Sequence, residues 1–120
     1  MRHIESEIQR ACVGYFTWQY PALRPLFFAV PNGGSRRLKE AALMKAEGIT
    51  AGVADIVLLA ARGPWHGLCI EFKTATGRQS KEQKRFEACC HAEGYRYAVV
   101  RSFDDFKALV DGYLAATTVK

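Results

Sequence analysis

A short apolar segment with a carboxylate and an amine on the same side places the strongest constraint on this chain. The segment reads Gly67-Leu68-Cys69-Ile70-Glu71-Phe72-Lys73. Because successive side chains of a strand point to opposite faces, Glu71 and Lys73 share one face, while Ile70 and Phe72 share the other. Unpaired charge inside an apolar sheet is unfavourable, so the pattern predicts that these charges have a partner or a task there.

A second apolar run, residues 52–59, contains Asp55, sixteen residues before Glu71. A short Gly-Pro loop separates the two runs, so we expect them to pair as a hairpin with Asp55 beside Glu71 and Lys73. Two carboxylates in one place suit Mg²⁺ or Mn²⁺, which prefer hard oxygen ligands. A lysine beside them can orient or deprotonate a water molecule. The alternative is a Glu71–Lys73 ion pair on an exposed strand, with Asp55 capping a turn.

Length and composition favour one folded domain, residues 1–120. The chain has 120 residues, is 49% hydrophobic and carries a formal charge of +5, which favours a polyanionic partner without requiring one. It has no apolar run of about 18 residues and no apolar core of a signal peptide. We expect a cytoplasmic protein whose four cysteines are reduced thiols rather than zinc ligands: Cys12, Cys69, Cys89 and Cys90.

Hydrophobic spacing and turn signals predict an α/β fold in the order αβαββαβα. A mixed four-stranded sheet flanked by helices is expected, with the Asp55 strand central because it is apolar on both faces. The first helix should bury a stripe formed by Ile4, Ile8, Ala11, Cys12 and Tyr15. The predicted helices cover 4–16, 35–47, 80–92 and 102–114, and the predicted strands cover 26–30, 55–61, 67–74 and 95–100.

Several segments resemble the PD-(D/E)xK nucleases, and more specifically a stand-alone VRR-NUC domain, the virus-type replication-repair nuclease module. The pair formed by Gly52-Val53-Ala54-Asp55 and Glu71-Phe72-Lys73 carries the resemblance. Supporting segments follow in the expected order along nearly the whole chain: Glu5-Ser6-Glu7-Ile8-Gln9, Pro31-Asn32-Gly33-Gly34-Ser35-Arg36, Gly48-Ile49-Thr50-Ala51-Gly52, Gly77-Arg78-Gln79-Ser80-Lys81-Glu82-Gln83 and Gly94-Tyr95-Arg96-Tyr97-Ala98-Val99-Val100.

The resemblance implies a restriction-endonuclease-like core and a metal-dependent site. Asp55, Glu71 and the main-chain carbonyl of Phe72 would bind Mg²⁺ or Mn²⁺, and Lys73 would act on the attacking water. The family's signature proline before the aspartate is Ala54 here. Proline is not a metal ligand, so activity is not expected to depend on it.

The resemblance also implies a glutamate from the first helix. Glu5 fits the family pattern best, and Glu7 is the alternative, for which a solvated carboxylate at a helix start is the simpler interpretation. Gln83 and Gln9 resemble family positions near the catalytic centre. Gln83 has a competing role, because Ser80-Lys81-Glu82-Gln83 has the form of a helix capping box.

Two groups of residues are candidates for contacts with DNA. The first lies in a glycine-containing loop that looks suited to phosphate: Asn32, Ser35, Arg36 and Arg37. The second follows the predicted catalytic strand: Arg78, Lys81 and Lys84. The plainer interpretations are an ordinary loop with a helix cap and a solvated charged helix face.

The expected function is structure-selective, metal-dependent hydrolysis of DNA in repair. Stand-alone VRR-NUC proteins resemble junction resolvases, so a homodimer acting on a four-way (Holliday) junction is expected, with an exposed helix face including Tyr15, Phe16 and Trp18 as one candidate interface. The alternatives are a nuclease for flaps or other branched DNA, a catalytically idle DNA-binding module, and an interaction protein in which the charge cluster is structural.

Overall fold

The structure, a computed structural model, describes residues 3–31 and 38–117, with the backbone alone at Leu38 and Lys39. Its helices and strands occur in the predicted order, αβαββαβα, with one additional 3₁₀ helix. The elements are α1 (His3–Gln19), the 3₁₀ helix (Pro21–Leu26), β1 (Phe27–Ala29), α2 (Leu38–Ala46), β2 (Ile56–Leu58), β3 (Leu68–Phe72), α3 (Lys81–Ala92), β4 (Arg96–Val100) and α4 (Phe103–Ala115). Within these ranges, no helix is long and apolar enough to span a membrane.

The four strands form one mixed sheet in the order β1-β2-β3-β4. β2 and β3 pair antiparallel with Ile56 opposite Ile70, so the predicted hairpin is confirmed. The ladder extends past β2, because the N–H of Asp55 donates to the carbonyl of Ile70 at 3.0 Å. β3 is therefore a central strand, antiparallel to β2 and parallel to β4.

The two faces of β3 contact different environments, as the alternation of its side chains predicts. Ile70 and Phe72 enter the main hydrophobic core, where residues of α1 and α4 pack against the sheet. Cys69 enters a smaller cluster with Cys90 of α3 and Tyr97 of β4. Glu71 points to this second side and is fully buried. The sheet thus carries a carboxylate in its interior, between β3 and α3.

The buried stripe of α1 differs from the sequence-based expectation. Cys12 and Phe16 are fully buried, whereas Ile4 is 56% exposed and Ala11 lies on the exposed side. Phe16 stacks on Phe27 of β1 with ring centroids 3.9 Å apart. The helix is therefore rotated so that the face carrying Cys12 and Phe16 packs against the sheet. The candidate interface is also wrong at Phe16, since a core residue is not accessible to a partner; Trp18, in contrast, is 78% exposed.

Gly52 fixes the loop that leads into Asp55. Its φ is +86°, and a Cβ built on it would lie 2.6 Å from the main-chain carbon of Glu82 in the first turn of α3. The positive φ and the contact with a helix backbone both disfavour any side chain at this position.

We expect Gly52→Ala to lower the free energy of unfolding by about 2 kcal/mol, from backbone strain plus displacement of the loop from α3. Urea denaturation followed by circular dichroism measures this change. Gly14→Ala is the matched control, because no heavy atom lies within 4 Å of a Cβ built there. Equal midpoints for Gly52→Ala and the wild type would contradict the close approach of the loop to α3.

Candidate active site

The candidate site forms where β2 and β3 separate at one end of the sheet. The Oδ2 atom of Asp55 accepts a hydrogen bond from the N–H of Phe72 at 2.6 Å. Within a strand, the N–H and C=O of one residue point toward the same neighbour, so the Phe72 carbonyl also points to the side of Asp55. The structure therefore brings together two of the oxygen donors that the sequence indicated.

Glu71, the third expected donor, is held by side chains that come from outside the hairpin. The Tyr97 hydroxyl donates to Glu71 Oε1, and Gln79 Nε2 donates to the same oxygen at 3.3 Å. Gln79 also donates to Glu87 Oε1 on α3 at 3.0 Å. The other oxygen, Glu71 Oε2, is buried and has no hydrogen-bond partner among the described residues. One oxygen of this carboxylate is thus fixed, and the other is left for a further positive partner.

Lys73 lies beside the free oxygen of Glu71. Its Nζ atom is 3.7 Å from Glu71 Oε2, and its side chain is 16% exposed. The loop that follows β3 is held by Arg101, the residue after β4. Its Nη1 atom donates to the carbonyls of Thr74 and Gly77, each at 2.7 Å. These bonds hold the start of the loop that carries Gln79.

Burial and neighbouring charge act together on Asp55. Burial is the main cause that raises the pKa of its carboxyl above the usual 3.8, and the nearby Glu71 and Glu5 carboxylates raise it further. The Phe72 N–H and the Lys73 ammonium lower the pKa of Asp55, with smaller combined effect. A bound cation would favour the ionised form of Asp55 and so offset this effect.

The donor set fits a small hard cation. Among the described residues, no three His, Cys, Asp or Glu side chains form a group that could hold a metal ion. Mg²⁺ is usually bound by one or two carboxylates plus water and substrate phosphate, so Asp55, Glu71 and the Phe72 carbonyl are sufficient in kind and number. The specific observation that supports this fit is Glu71 Oε2, which is buried without a hydrogen-bond partner among the described residues and has the Lys73 ammonium 3.7 Å away.

The two glutamates of α1 have different surroundings. Glu5 lies near enough to Asp55 to raise its pKa. Glu7 instead faces solvent and pairs with His3, with 3.2 Å between its Oε1 atom and His3 Nε2. This arrangement favours Glu5 as the helix residue of the site, although it does not belong to a three-carboxylate cluster.

A groove of about 350 Å³ opens beside Asp55, between α1 and the end of β1. Gln9 and Arg10 line it from the helix, and Val30 and Pro31 from the strand side. Gln9 Oε1 is buried and makes no hydrogen bond within the described ranges. Gln9, which resembled a family position near the catalytic centre, thus lies next to Asp55.

Gln83 is engaged in the capping box that its sequence pattern predicted. Its Oε1 atom accepts from the Ser80 N–H at 2.7 Å, while Ser80 Oγ accepts from the Gln83 N–H at 3.1 Å. The structure brings Gln79, and not Gln83, into contact with Glu71. A catalytic role for Gln83 stays a prediction.

Sequence reasoning missed Tyr97 and Gln79 as residues of the site. Tyr97 lies opposite Cys69 in the parallel register, and alternation then places it on the face of Glu71. The sequence indicated the strand but not its neighbour or register, so this signal was not usable. Gln79 belongs to a segment that supports the family resemblance, Gly77-Arg78-Gln79-Ser80-Lys81-Glu82-Gln83, but the sequence analysis selected Gln83 from it.

The basic candidates after β3 are exposed and surround the start of α3: Arg78, Lys81 and Lys84. Their positions are compatible with contacts to a DNA backbone and equally with an ordinary solvated surface. The other four candidates for DNA contact, Asn32, Ser35, Arg36 and Arg37, lie outside the described residues.

We expect Tyr97→Phe to reduce metal affinity or cleavage by about 10–100-fold, the usual effect of removing an outer partner of a metal ligand. The change deletes the hydroxyl that holds Glu71 Oε1 and keeps the ring. Calorimetric titration with Mn²⁺ measures the affinity. Tyr95→Phe is the matched control, because its hydroxyl makes no hydrogen bond in the part of the chain described here. Equal affinities of Tyr97→Phe and Tyr95→Phe would contradict the positioning role.

Comparisons with known proteins agree with this geometry. The family model of the VRR-NUC domain matches residues 4–104. Among solved structures, a protein described as "VRR_NUC domain protein" is 25% identical to this chain and superposes with a TM-score of 0.85. The match covers 100% of this chain and 95% of that protein. No curated protein matches the chain.

Proposed function

The chain belongs to the VRR-NUC domain family, which makes it a nuclease of the PD-(D/E)xK type, and we propose that it is a Mg²⁺- or Mn²⁺-dependent endonuclease acting on branched DNA. The observation that carries the metal dependence is Glu71 Oε2, buried without a hydrogen-bond partner among the described residues. We take residues 1–120 as one nuclease domain.

In the proposed mechanism, Asp55, Glu71 and the Phe72 carbonyl would hold the cation, and Glu5 would complete the site directly or through water. The cation supplies Lewis-acid stabilisation of the negative charge that develops on the phosphate. Lys73 would orient the attacking water, for which its place beside Glu71 Oε2 is suitable. In its neutral amine form it would accept the proton that this water loses and become the ammonium. Water then attacks phosphorus in line with the leaving oxygen, so no covalent intermediate with the protein is needed.

Several surfaces suit a DNA strand passing this site. Arg78, Lys81 and Lys84 are exposed on and just before the start of α3, and Arg10 lines the groove beside Asp55. Such contacts fix the backbone without reading sequence, so we propose selectivity for DNA shape. We propose that the loop candidates named from the sequence, Asn32, Ser35, Arg36 and Arg37, add phosphate contacts.

A four-way junction and a homodimer are the specific form of this proposal. Two equivalent strands are cut symmetrically when two active sites are related by a two-fold axis. Cytoplasmic action in DNA repair accords with the four free cysteines, since the Cys90 thiol donates a hydrogen bond to Cys69 Sγ at 4.0 Å and no disulfide joins them. Flaps or other branches are the second candidate, because the same site chemistry serves either substrate.

The deciding experiment is cleavage of a labelled four-way junction beside flap and linear duplex DNA of matched sequence, in Mg²⁺, in Mn²⁺ and in EDTA. Paired symmetric cuts in the junction, lost in EDTA, are expected. Cleavage of flaps or duplex instead would remove the junction assignment and keep the nuclease chemistry. Cleavage in EDTA would remove the metal dependence. Binding of these DNAs without cleavage in either metal would favour the idle DNA-binding module.

A further inference from the structure

The outer edge of β4 is an unpaired strand edge. The N–H of Arg96 donates to the Gly67 carbonyl, and the Val100 carbonyl accepts from the N–H of Lys73. Backbone groups of residues 96, 98 and 100 therefore face β3, and those of Tyr97 and Val99 face away from the sheet. Among the described residues, no backbone group bonds to these four outward N–H and C=O groups. A row of this kind is a template for pairing with another strand.

A groove of about 510 Å³ runs along this edge between β4 and α4. It is lined at one end by Arg96 and at the other by Asp105, with Ala98 and Ala108 between them. The two charges have opposite sign, and the central residues are small. Asp105 is held close to the end of β4, because its Oδ2 atom accepts from the N–H of Arg101 at 3.2 Å.

We propose that β4 pairs antiparallel with β4 of a second copy of this chain, about a two-fold axis at Ala98. Such an axis sets Tyr97 of each copy opposite Val99 of the other, and each such pair exchanges two hydrogen bonds. All four outward groups of each copy are then satisfied. The small Ala98 lies at the axis, where the strands of a non-hydrogen-bonded pair approach most closely.

The charges of the groove identify the partner as a second copy. Antiparallel pairing about Ala98 sets Arg96 of one copy opposite Val100 of the other, and Asp105 lies at that end of the strand. Each Arg96 thus approaches the partner's Asp105, and the symmetry generates the ion pair twice. An unrelated peptide could pair with the backbone edge, but it would not supply the Asp105 and Arg96 that complete the two symmetric ion pairs. The inference gives the proposed homodimer its interface.

Molar mass by light scattering after size exclusion, with the dimer dissociation constant from sedimentation, tests this proposal. A dimeric wild type is expected. Arg96→Asp and Asp105→Arg should each weaken the dimer by at least about tenfold, because each places like charges together. The double variant carrying both changes should recover most of the affinity. Asp104→Arg is the matched control, since Asp104 is an exposed neighbour that does not line the groove.

A second variant tests the backbone part. Val99→Pro removes an outward N–H and leaves the ladder to β3 intact, and proline is tolerated on edge strands. A monomer with an unchanged far-ultraviolet spectrum is expected. A wild type that stays monomeric up to millimolar concentration would overturn the proposal. A dimer that withstands Val99→Pro and both charge reversals would overturn it as well. Neither result depends on cleavage, so the nuclease proposal succeeds or fails separately.

Discussion

Asp55→Asn is expected to abolish cleavage and at the same time to stabilise the metal-free protein. A loss of at least about a thousandfold in rate is expected, because the neutral amide replaces a ligand of the cation that stabilises the transferring phosphate. The fold should survive, since the amide oxygen can accept the same hydrogen bond from the Phe72 N–H. In EDTA, the free energy of unfolding should be higher than that of the wild type, because the substitution removes a charge that burial disfavours and that the Glu71 and Glu5 carboxylates disfavour further.

The raised pKa of Asp55 determines how this difference in stability changes with pH. Burial and the neighbouring carboxylates raise the pKa of Asp55 above 3.8 in the folded state. The folded protein therefore binds the proton more tightly than the unfolded chain does. In the metal-free wild type, the contribution of Asp55 to stability is fully present below its unfolded pKa and is lost as the pH rises through the raised folded pKa. Asp55→Asn lacks this decline.

Thermal unfolding in EDTA and in Mg²⁺, at several pH values, measures both effects. Mg²⁺ should raise the melting temperature of the wild type at neutral pH and have little effect on Asp55→Asn. Asp104→Asn is the control, because that carboxylate is exposed and distant from the site. A variant that keeps wild-type cleavage, or that still gains stability from Mg²⁺, would contradict the assigned ligand.

Lys73→Met is expected to lower cleavage by about a thousandfold while leaving metal binding in place, the size of effect typical of a lost proton-transfer group. The substitution keeps an unbranched side chain that can occupy the same space and removes the ammonium 3.7 Å from Glu71 Oε2. Because Glu71 is fully buried, its carboxylate then depends more on the cation. The melting temperature in EDTA should fall, and Mg²⁺ should restore most of it.

This pattern separates catalysis from a structural ion pair. Single-turnover cleavage gives the rate, and calorimetric titration with Mn²⁺ gives the affinity. Lys107→Met is the matched control, since Lys107 also pairs with a carboxylate, Asp111 at 3.0 Å, but on the exposed side of α4. If Lys73→Met retains cleavage within about threefold of the wild type, Lys73 holds Glu71 and has no part in the proton transfer.

The sequence predicted the parts of this molecule that depend on residues close to one another along the chain. The hairpin brought Asp55 to Phe72 and Glu71 as expected, because a short loop and strict alternation specify both pairing and face. The capping box at Ser80 and Gln83 formed for the same reason, since all its bonds lie within three residues.

Contacts between distant segments were not predictable in this way. The parallel register of β3 and β4 depends on a crossover through α3, and nothing local indicates that Tyr97 will face Glu71. The buried face of α1 also departed from its periodic pattern, because stacking of Phe16 on Phe27 decides the helix rotation. The complete burial of Glu71 follows from these long-range contacts and not from its own strand.

The separate origins of the Glu71 contacts have a consequence for the order of folding. Asp55 and Glu71 meet when a short hairpin closes, which requires little loop-closure entropy. Tyr97 arrives only after α3 and β4 have crossed over to complete the parallel pair, a slower non-local step. Transition-state φ-values near zero at Tyr97, with higher values in the hairpin, would report this sequence of events. We therefore expect the chain to bring its two carboxylates together while water still surrounds them, and to dehydrate Glu71 last.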